Sequence, residues 1–297
     1  MADPVGLVVA EGPTRVSQIS THVLNLSASD VTLSIGAVSD RGRIRQVNED
    51  SFLAHPPVFL VADGMGGHSF GDRASQATVT AFAEGIPVDQ PTTSSAILAC
   101  VREAHSRVIE LAGDEQAGTT ISGLALVREP GDSHAYWMAF NIGDSRVYSW
   151  SSSEGLVQIS VDHSAVQELI DEGSITKEQA ESHPERNVIT RAVGSGAQPD
   201  PDVWLLPVGE EECFLLCSDG LTKELSDGQI SQVMASVDGN QAFAAAHLVG
   251  AAVQSGAVDN VTVVVVESTL AARGVSTDRE TPLPAHLETT LPREERA

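Results

Sequence analysis

The sequence has 297 residues, of which 41% are apolar and 4% aromatic, and this is enough to bury a largely aliphatic core in one large domain or two. Its formal net charge of -24 at pH 7 argues against a nucleic-acid or anionic-membrane partner, because both require a basic surface, and it favours divalent cations. Three cysteines are too few for a disulfide framework and indicate a reducing compartment.

The two ends of the sequence differ from its middle. Met1 to Ser29 lacks a leader pattern, and no run reaches the about 18 apolar residues of a membrane span, so we expect a cytoplasmic protein, taken as a monomer. Residues 1–30 form an extension without sustained periodicity, so a loose arm and an extra edge strand both remain open. Residues 31–268 are predicted to form the folded domain. Residues 269–297, rich in Pro, Thr, Arg and Glu, predict a disordered tail.

Within the domain, strands and helices follow one another along the chain. Alternating or continuous apolar runs predict strands at 31–39, 51–54, 58–62, 121–127, 136–142, 147–150, 156–160, 203–208, 213–217 and 261–266. Apolar residues at three- and four-residue steps predict helices at 70–86, 94–111, 227–237 and 241–254.

Residues 161–196 interrupt this pattern. Asp162-His163-Ser164 predicts the cap of a short helix over 165–171, and Thr176-Lys-Glu-Gln179 fits a capping box for another. A polar insertion of this kind is typical of a mobile flap beside a site, here at about 165–190. The segment 187–194 is predicted to return to the sheet.

Aspartate follows or precedes a buried strand at four places, Asp63, Asp144, Asp219 and Asp259, each next to glycine or asparagine. If these strands belong to neighbouring sheets, the four carboxylates meet at one end, where they repel one another unless divalent cations neutralise them. Oxygen ligands without paired histidine or cysteine favour Mg²⁺ or Mn²⁺ over zinc. Four independent turn aspartates are the alternative, and it weakens as the pattern recurs.

A cation lies close to this set in the sequence. Arg45 precedes Glu49 and Asp50, and a hairpin would bring all three to the edge that carries Asp63. The forked donors of arginine bind phosphate in a bidentate manner. Two metal ions can lower the pKa of a bridging water for attack on phosphorus. The pattern therefore indicates hydrolysis of a phosphate ester.

The motifs occur in the order seen in a known family. They are Arg45-Gln-Val-Asn-Glu-Asp50, Val61-Ala-Asp-Gly-Met-Gly-Gly-His68, Gly118-Thr-Thr120, Asn141-Ile-Gly-Asp-Ser-Arg146, Asp162-His-Ser164, Cys217-Ser-Asp-Gly220 and Asp259-Asn260. Over about residues 33–267 the chain resembles metal-dependent serine/threonine protein phosphatases of type 2C, the PPM family, and its bacterial branch most strongly. The resemblance implies an α+β fold, a four-layer α-β-β-α sandwich with two central, mostly antiparallel sheets flanked by helices and a small helical flap.

The resemblance also implies an activity and its cofactors. Members hydrolyse phosphoserine and phosphothreonine in proteins directly, by a metal-activated water at a binuclear Mg²⁺/Mn²⁺ centre, and here would reverse a bacterial Ser/Thr kinase. The implied partners are therefore phosphorylated proteins, with a kinase and its substrates among them. In this chain the resemblance implies Asp63 as the ligand bridging both metals, the Gly64 carbonyl on the second metal, Asp219 and Asp259 on the first, Glu49 at the second metal's water shell, Asp50 behind the cluster, Asp144 with Asp219 at a third ion, and Arg45 on the phosphate.

One position departs from the better-known eukaryotic members, which place a histidine just after Asp-Gly as presumed general acid. Met65 stands there and cannot donate a proton, so protonation of the leaving group falls to a metal-bound water or another residue. His68 is one candidate, although a structural role is the commoner one for such a histidine. His163 is expected to order the start of the flap helix, and His183, before a proline, to end a helix.

The same residues also bear on other function classes. A cysteine-based phosphatase needs arginine six positions after its cysteine, where Cys217 has Lys223 and Cys213 has Asp219. No Gly-x-x-x-x-Gly-Lys loop supports a nucleotide-dependent enzyme. A non-catalytic relative that binds a partner remains an alternative. The presence of all three expected ligands, Asp63, Asp219 and Asp259, argues against it. A phosphatase of transcriptional regulators shares the chemistry and differs only in substrate.

Overall fold

The computed structural model describes residues 15–26, 29–66, 70–113, 116–237 and 243–272. The strands are β1 (Arg15–Asn25), β2 (Ser29–Asp40), β3 (Asp50–His55), β4 (Val58–Gly66), β5 (Ala117–Thr119), β6 (Ile121–Val127), β7 (Tyr136–Ile142), β8 (Arg146–Ser151), β9 (Gly155–Gln158), β10 (Asp202–Pro207), β11 (Glu211–Cys217) and β12 (Val261–Ala272). The helices are α1 (Gly71–Gly85), α2 (Ser94–Ala112), α3 (Ala165–Asp171), α4 (Lys177–Glu181), α5 (Asp219–Thr222), α6 (Asp227–Ser236) and α7 (Ala244–Ser255).

The strands form two sheets, and the pairings between neighbouring strands are antiparallel. The first sheet has the order β1-β2-β12-β11-β8-β9 and the second β10-β7-β6-β4-β3, with β5 added to the end of β4. The inner faces of both sheets bury apolar side chains against each other, with Trp137 in contact with Phe59 and Phe214 at ring-centroid distances of 6.4 and 5.5 Å. This inner core holds the two sheets together as a sandwich.

Helices cover both outer faces. On the second sheet, α1 and α2 bury residues at three- and four-residue spacing, and Phe82 of α1 stacks on Phe140 with 5.7 Å between ring centroids. On the first sheet, α6 and α7 bury Ile230, Met234 and Leu248 among the outward side chains of β8, β11 and β12. The predicted four-layer α-β-β-α fold is confirmed.

The first strand occupies a region whose sequence left two possibilities open. Residues 15–25 form an edge strand along β2, with Arg15 opposite Asp40. At the other side of β2, the ladder with β12 continues to Ala272, opposite Ser29, so regular pairing runs past residue 268, the predicted end of the domain. Residues 1–14 and the predicted tail from 273 onward lie outside the described ranges.

The flap is built from α3 and α4 and the segment after them. The Ser164 side chain accepts a hydrogen bond from the Gln167 amide, and Thr176 and Gln179 form the predicted capping box. The predicted return of 187–194 to a sheet is wrong. Single bridges link Ile189 to Ser164 and Val193 to Thr119, because the backbone there bonds mainly to the flap rather than along a strand.

Within the ranges that the structure describes, no helix has both the length and the apolar character needed to cross a bilayer.

Candidate metal centre

Two of the candidate carboxylates face each other across neighbouring strands. Asp50, the first residue of β3, pairs with Asp63 of β4. Asp63 was predicted at the end of a strand, but β4 continues to Gly66 because its last residues pair with β5. The Asp63 amide donates to Thr120 Oγ1 at 2.9 Å, and its carbonyl accepts from the Thr120 amide at 2.9 Å. The backbone at Asp63 is therefore fixed from both sides.

The other carboxylates reach the same end of the sandwich from three connections. Asp144 lies in the turn between β7 and β8, Asp219 begins α5 directly after β11, and Asp259 comes just before β12. The negative charges of all three, together with that of Asp50, raise the pKa of Asp63. We call this cluster the acidic rim, and its members are Glu49, Asp50, Asp63, Asp144, Asp219 and Asp259.

Gly64 brings two segments of the rim into close contact. A β-carbon at this position would lie 2.1 Å from the Gly71 carbonyl oxygen and 2.5 Å from that of Glu49, so no larger residue fits. The Gly64 amide also donates to the Glu49 carbonyl at 3.1 Å. The glycine is thus required for the close approach that sets Glu49 beside Asp63.

Asp50 lies behind the rim in a polar pocket. Its Oδ2 accepts hydrogen bonds from Ser218 Oγ at 2.8 Å and Thr262 Oγ1 at 2.6 Å. Burial, opposed by these two hydrogen bonds, raises its pKa to about 7. Asp50 is 2% exposed, so it supports the cluster from within rather than facing solvent.

Burial and mutual repulsion raise the pKa of the rim carboxyls. The pKa of Asp63 is well above its ordinary value, first through burial and then through Asp50 and Asp219. Burial and the Asp219 charge raise the pKa of Asp144 to about 7. Within the described residues, the Oδ1 atoms of Asp50, Asp144 and Asp219 are buried without a hydrogen-bond partner. These oxygens lack the positive partners that buried carboxylates require.

Two basic side chains reach into the rim. Arg45 donates from Nη1 to Glu49 Oε2 at 3.2 Å and contacts Asp259 Oδ1 through Nη2 at 2.8 Å. Lys223 pairs with Asp219 and lies 3.3 Å from Asp259 Oδ2. Burial opposes the charge of Lys223, but the two aspartates outweigh it and raise its pKa. Two cations thus face six carboxylates.

Sequence reasoning did not assign Lys223 or Asn260 a role in the site. Lys223 stands four residues after Asp219 on one helical turn, a spacing that favours an ion pair and could have been noticed. The Asn260 side chain accepts from the Glu49 amide at 2.9 Å and donates to the carbonyls of Arg41 and Val47 at 2.9 and 3.0 Å. It holds in place the loop that carries Arg45 and Glu49.

The rim fits a pair of hard divalent cations. Its donors are carboxylates with a backbone carbonyl nearby, which are the ligands of Mg²⁺ and Mn²⁺, and three of its buried oxygens lack partners. Among the described residues, no three of these carboxylates approach within 4.8 Å of one another through one oxygen each. Repulsion between like charges opposes a closer approach of these carboxylates, and Lys223 lies between Asp219 and Asp259.

A second charged cluster lies under the flap, and we call it the flap base (Arg146, Asp162, His163, Arg191 and Asp202). Arg146 binds Asp162 in a bidentate manner, with Nε to Oδ1 at 2.9 Å and Nη2 to Oδ2 at 2.7 Å. Arg191 Nη1 donates to Asp202 Oδ1 at 2.7 Å, and His163 Nε2 lies 3.2 Å from Asp202 Oδ2.

His163 differs from its expected role. Its Nδ1 accepts from the Gly143 amide at 3.0 Å, and its own amide donates to the Gly143 carbonyl at 2.9 Å. The ring therefore fixes the turn that carries Asp144, while Ser164 caps the flap helix. Met65 lies opposite Gly118 in the pairing of β4 with β5, and His68 lies outside the described residues.

The eight residues predicted for the site therefore lie together at one end of the sandwich, and seven of them, all but Asp259, fall within a stretch that matches a known family. Residues 43–250 match the sequence pattern of the family described as Protein phosphatase 2C. The chain belongs to the protein phosphatase 2C family. The family predicted from the sequence is confirmed.

Two curated members of the protein phosphatase 2C family illustrate the likeness. The chain is 37% identical over 244 residues to the Serine/threonine protein phosphatase PstP of Mycobacterium tuberculosis. This alignment covers 80% of this chain and 45% of that protein. It is 31% identical over 255 residues to the Serine/threonine phosphatase stp of Listeria welshimeri, covering 80% and 96%. The chain thus spans about half the length of the mycobacterial relative and nearly all of the other.

A solved protein phosphatase 2C structure extends the likeness to three dimensions. The catalytic domain of the serine threonine protein phosphatase PstP, in complex with two manganese ions, superposes with a TM-score of 0.69 at 33% identity, over 80% of this chain and 99% of that one. That relative is a phosphatase 2C domain that binds two manganese ions.

Proposed function

We propose that this chain is a metal-dependent protein serine/threonine phosphatase, a phosphoric monoester hydrolase that acts on phosphoserine and phosphothreonine in proteins. The observation that carries the proposal is the acidic rim, where buried carboxylate oxygens without partners lie beside an arginine. The family and the manganese-bound relative support the same conclusion.

The residues proposed to hold the metal ions all belong to the rim or touch it. Asp63 would serve both ions, Asp219 and Asp259 would hold the first, the Gly64 carbonyl and Glu49 would serve the second, Glu49 through its water shell, Asp50 would support these ligands, and Asp144 with Asp219 would hold a third ion. When bound, two such ions supply Lewis-acid activation of a water molecule for attack on phosphorus.

The role of Arg45 follows from its present partners. Its guanidinium is occupied by two carboxylates, Glu49 and Asp259, while its side chain is 45% exposed at the mouth of the rim. The forked donors of this exposed side chain could bind two oxygens of a substrate phosphate. Arg45 therefore orients the phosphate at the entrance to the site.

Protonation of the leaving alkoxide does not involve the residue after Asp63-Gly64. Met65 has no proton to donate, so the histidine used at this position in eukaryotic members has no counterpart here. Lys223, paired with Asp219 and Asp259, carries a proton but its raised pKa opposes release.

We also propose the setting in which the enzyme acts. Its substrates are phosphorylated proteins, among them a serine/threonine kinase and the targets of that kinase, and it works as a cytoplasmic monomer. The net charge of -24 supports the absence of nucleic-acid and membrane partners.

The test is hydrolysis by the full chain with Mn²⁺ and with EDTA, using p-nitrophenyl phosphate and matched phosphothreonine and phosphotyrosine peptides. We expect turnover only with the metal and a preference for phosphothreonine. Asp132→Asn, at an exposed aspartate between β6 and β7 and at the other end of β7 from Asp144, serves as the control for a neutralised carboxylate. Binding of Mn²⁺ without any turnover would instead favour the non-catalytic, partner-binding alternative.

A further inference from the structure

Two histidines and an aspartate converge at a place that the proposed reaction does not use. His22 lies on β1, His55 ends β3, and Asp89 follows α1. Among the described residues, one potential ligand atom from each lies within 4.8 Å of the other two. The imidazole rings of His22 and His55 meet edge to face, with 5.1 Å between centroids.

This cluster is remote from the acidic rim. Asp50 and His55 stand at opposite ends of β3, and five strand steps of about 3.3 Å separate them by about 17 Å. His22 pairs with Leu33 in the middle of β2, whereas the end of β2 near the rim is Asp40. The two clusters therefore occupy opposite ends of the sandwich.

The hydrogen bonds of His55 prepare one of its nitrogens for a metal. Its Nδ1 lies 3.1 Å from the Pro56 carbonyl oxygen. Because a carbonyl can only accept, Nδ1 carries the proton and Nε2 keeps a free lone pair. An imidazole whose second nitrogen donates to a backbone carbonyl is the usual arrangement of a metal-binding histidine.

The same carbonyl also positions Asp89. The Asp89 amide donates to the Pro56 oxygen at 3.2 Å, and its φ of 61° lies in the left-handed region, which aspartate tolerates better than most residues. One backbone oxygen thus fixes two of the three side chains in relation to each other.

His22 completes the group from the other sheet. Its Nδ1 lies 3.7 Å from Asp89 Oδ1, and its Nε2 lies 3.2 Å from Ser20 Oγ. Burial, and then the neighbouring His55, lower the pKa of His22, so its imidazole is neutral at physiological pH, the form that binds metals. A neutral ring 3.7 Å from a carboxylate gains little as an ion pair.

We propose that His22, His55 and Asp89 form a second metal site, selective for Zn²⁺ or a similar late transition metal, that ties edge strand β1 of one sheet to edge strand β3 of the other. Two imidazoles and one carboxylate suit zinc and leave a fourth position for water, whereas Mg²⁺ prefers oxygen ligands alone. Ligands bonded to one zinc ion lie at most about 4 Å apart, so a rotation of the Asp89 side chain, which is 60% exposed, closes the site.

The site would join elements that the sheets leave separate. β1 and β3 are edge strands of different sheets, and no ladder connects them in the described structure. A metal clip there stabilises the first strand against fraying by binding the folded state only.

The test uses the full chain without an affinity tag, in excess Mg²⁺ so that the acidic rim is filled. Titration with Co²⁺ should give the visible absorption of a nitrogen-ligated ion, and Zn²⁺ should bind one equivalent by calorimetry and raise the Tm. In His55→Ala and in His22→Gln, Zn²⁺ affinity should fall by more than the about 10- to 100-fold that loss of an outer-shell partner costs. Both histidine variants are measured so that a folding defect in one of them does not decide the result.

Matched controls separate this site from others. His134→Ala removes an exposed histidine that lies 3.3 Å from a single aspartate, Asp132, and should leave Zn²⁺ binding unchanged. Asp63→Asn alters the rim and should also keep it. The proposal is overturned if the wild-type chain binds no Zn²⁺ under these conditions, if both histidine variants bind it as the wild type does, or if Asp63→Asn abolishes it.

Discussion

The acidic rim and the flap base handle buried charge in opposite ways at the same end of the molecule. In the flap base, Asp162 takes a bidentate pair from Arg146, and Asp202 lies between Arg191 and His163. In the rim, Arg45 and Lys223 each contact two carboxylates. Within the described residues, buried carboxylate oxygens of the rim still have no hydrogen-bond partner.

The difference separates structural charge from functional charge. Paired charges hold two segments together and need nothing further, whereas a cluster with raised pKa values and unpartnered oxygens costs stability until a ligand supplies positive charge. The comparison can be tested by changing one region at a time.

The largest effect is expected for Asp63→Asn. Removing the central carboxylate should abolish metal-dependent hydrolysis, beyond the about 10- to 100-fold that loss of an outer-shell partner costs. In EDTA the same variant should melt at a higher temperature than the wild type, because one repelling charge is gone. Scanning calorimetry with and without Mn²⁺ measures both effects. Near-normal turnover would show that Asp63 does not bridge the ions.

In the flap base, Arg146→Ala should act on stability. Asp162 would keep only the Gln158 side chain at 3.0 Å, and loss of one partner from such a pair costs about 3 kcal/mol. Arg107→Ala, which breaks the more exposed pairs with Glu84 and Glu103, should cost about 1 kcal/mol or less. Urea unfolding of both variants gives the comparison, and equal losses would contradict it.

At the mouth of the rim, Arg45→Ala should weaken phosphate binding. Hydrogen bonds to a charged group contribute about 1.5–3 kcal/mol, so KM should rise by about 10- to 100-fold while kcat changes much less. Steady-state kinetics on a phosphothreonine peptide measures this, with exposed Arg43→Ala as the matched control. A fall in kcat at constant KM would place Arg45 in the chemical step instead.

The pH dependence of the metal-free protein tests the rim through Asp144. Its pKa is raised to about 7, so the folded state binds this proton more tightly than the unfolded chain, whose pKa is about 4. The stability that protonated Asp144 contributes is therefore fully present below about pH 4 and is lost as the pH rises through about 7. In EDTA the Tm of the wild type should fall more steeply over this window than that of Asp144→Asn, and Mn²⁺ should flatten the wild-type curve. Parallel curves would contradict a charged, buried Asp144.

The smallest effect is expected for Lys223→Met. Lys223 occupies Asp219 and Asp259 in the metal-free protein and must yield to an incoming ion. A partly exposed ion pair is worth up to about 1 kcal/mol, so Mn²⁺ should bind about two- to fivefold more tightly in the variant. Calorimetric titration measures the change, and weaker binding would mean that Lys223 helps to assemble the site.

The sequence predicted those parts of the site that depend on local chemistry. Asp219 and Asp259 stand where a buried strand meets a turn residue, and such positions are visible in a few neighbouring letters. The partners of Asp50 were not visible, because Ser218 and Thr262 reach it across 168 and 212 residues of chain. The same distance hid the role of Asn260, 211 residues from the Glu49 amide that it binds.

The fold was predictable to a similar degree. Segments such as α2 and β6 were recovered nearly to the residue, since α2 buries one face and β6 is a mostly apolar run that is buried at every residue. The first strand lacks such a face, because Ile19 and Val23 point outward and are exposed. Residues 187–194 have apolar side chains typical of a strand, but their backbone hydrogen bonds are divided between the start of the flap, at His163 and Ala165, and Thr119 of β5.

The register of β12 decides where a probe can be attached. It runs from Val261, opposite Asp40, to Ala272, opposite Ser29, and eleven steps of about 3.3 Å place these residues about 36 Å apart. Arg15 also lies opposite Asp40, so a bead or fluorophore joined there would sit at the end of the sandwich that carries the acidic rim. A handle joined at Ala272, at the opposite end of β12, would leave the end that carries the acidic rim uncovered.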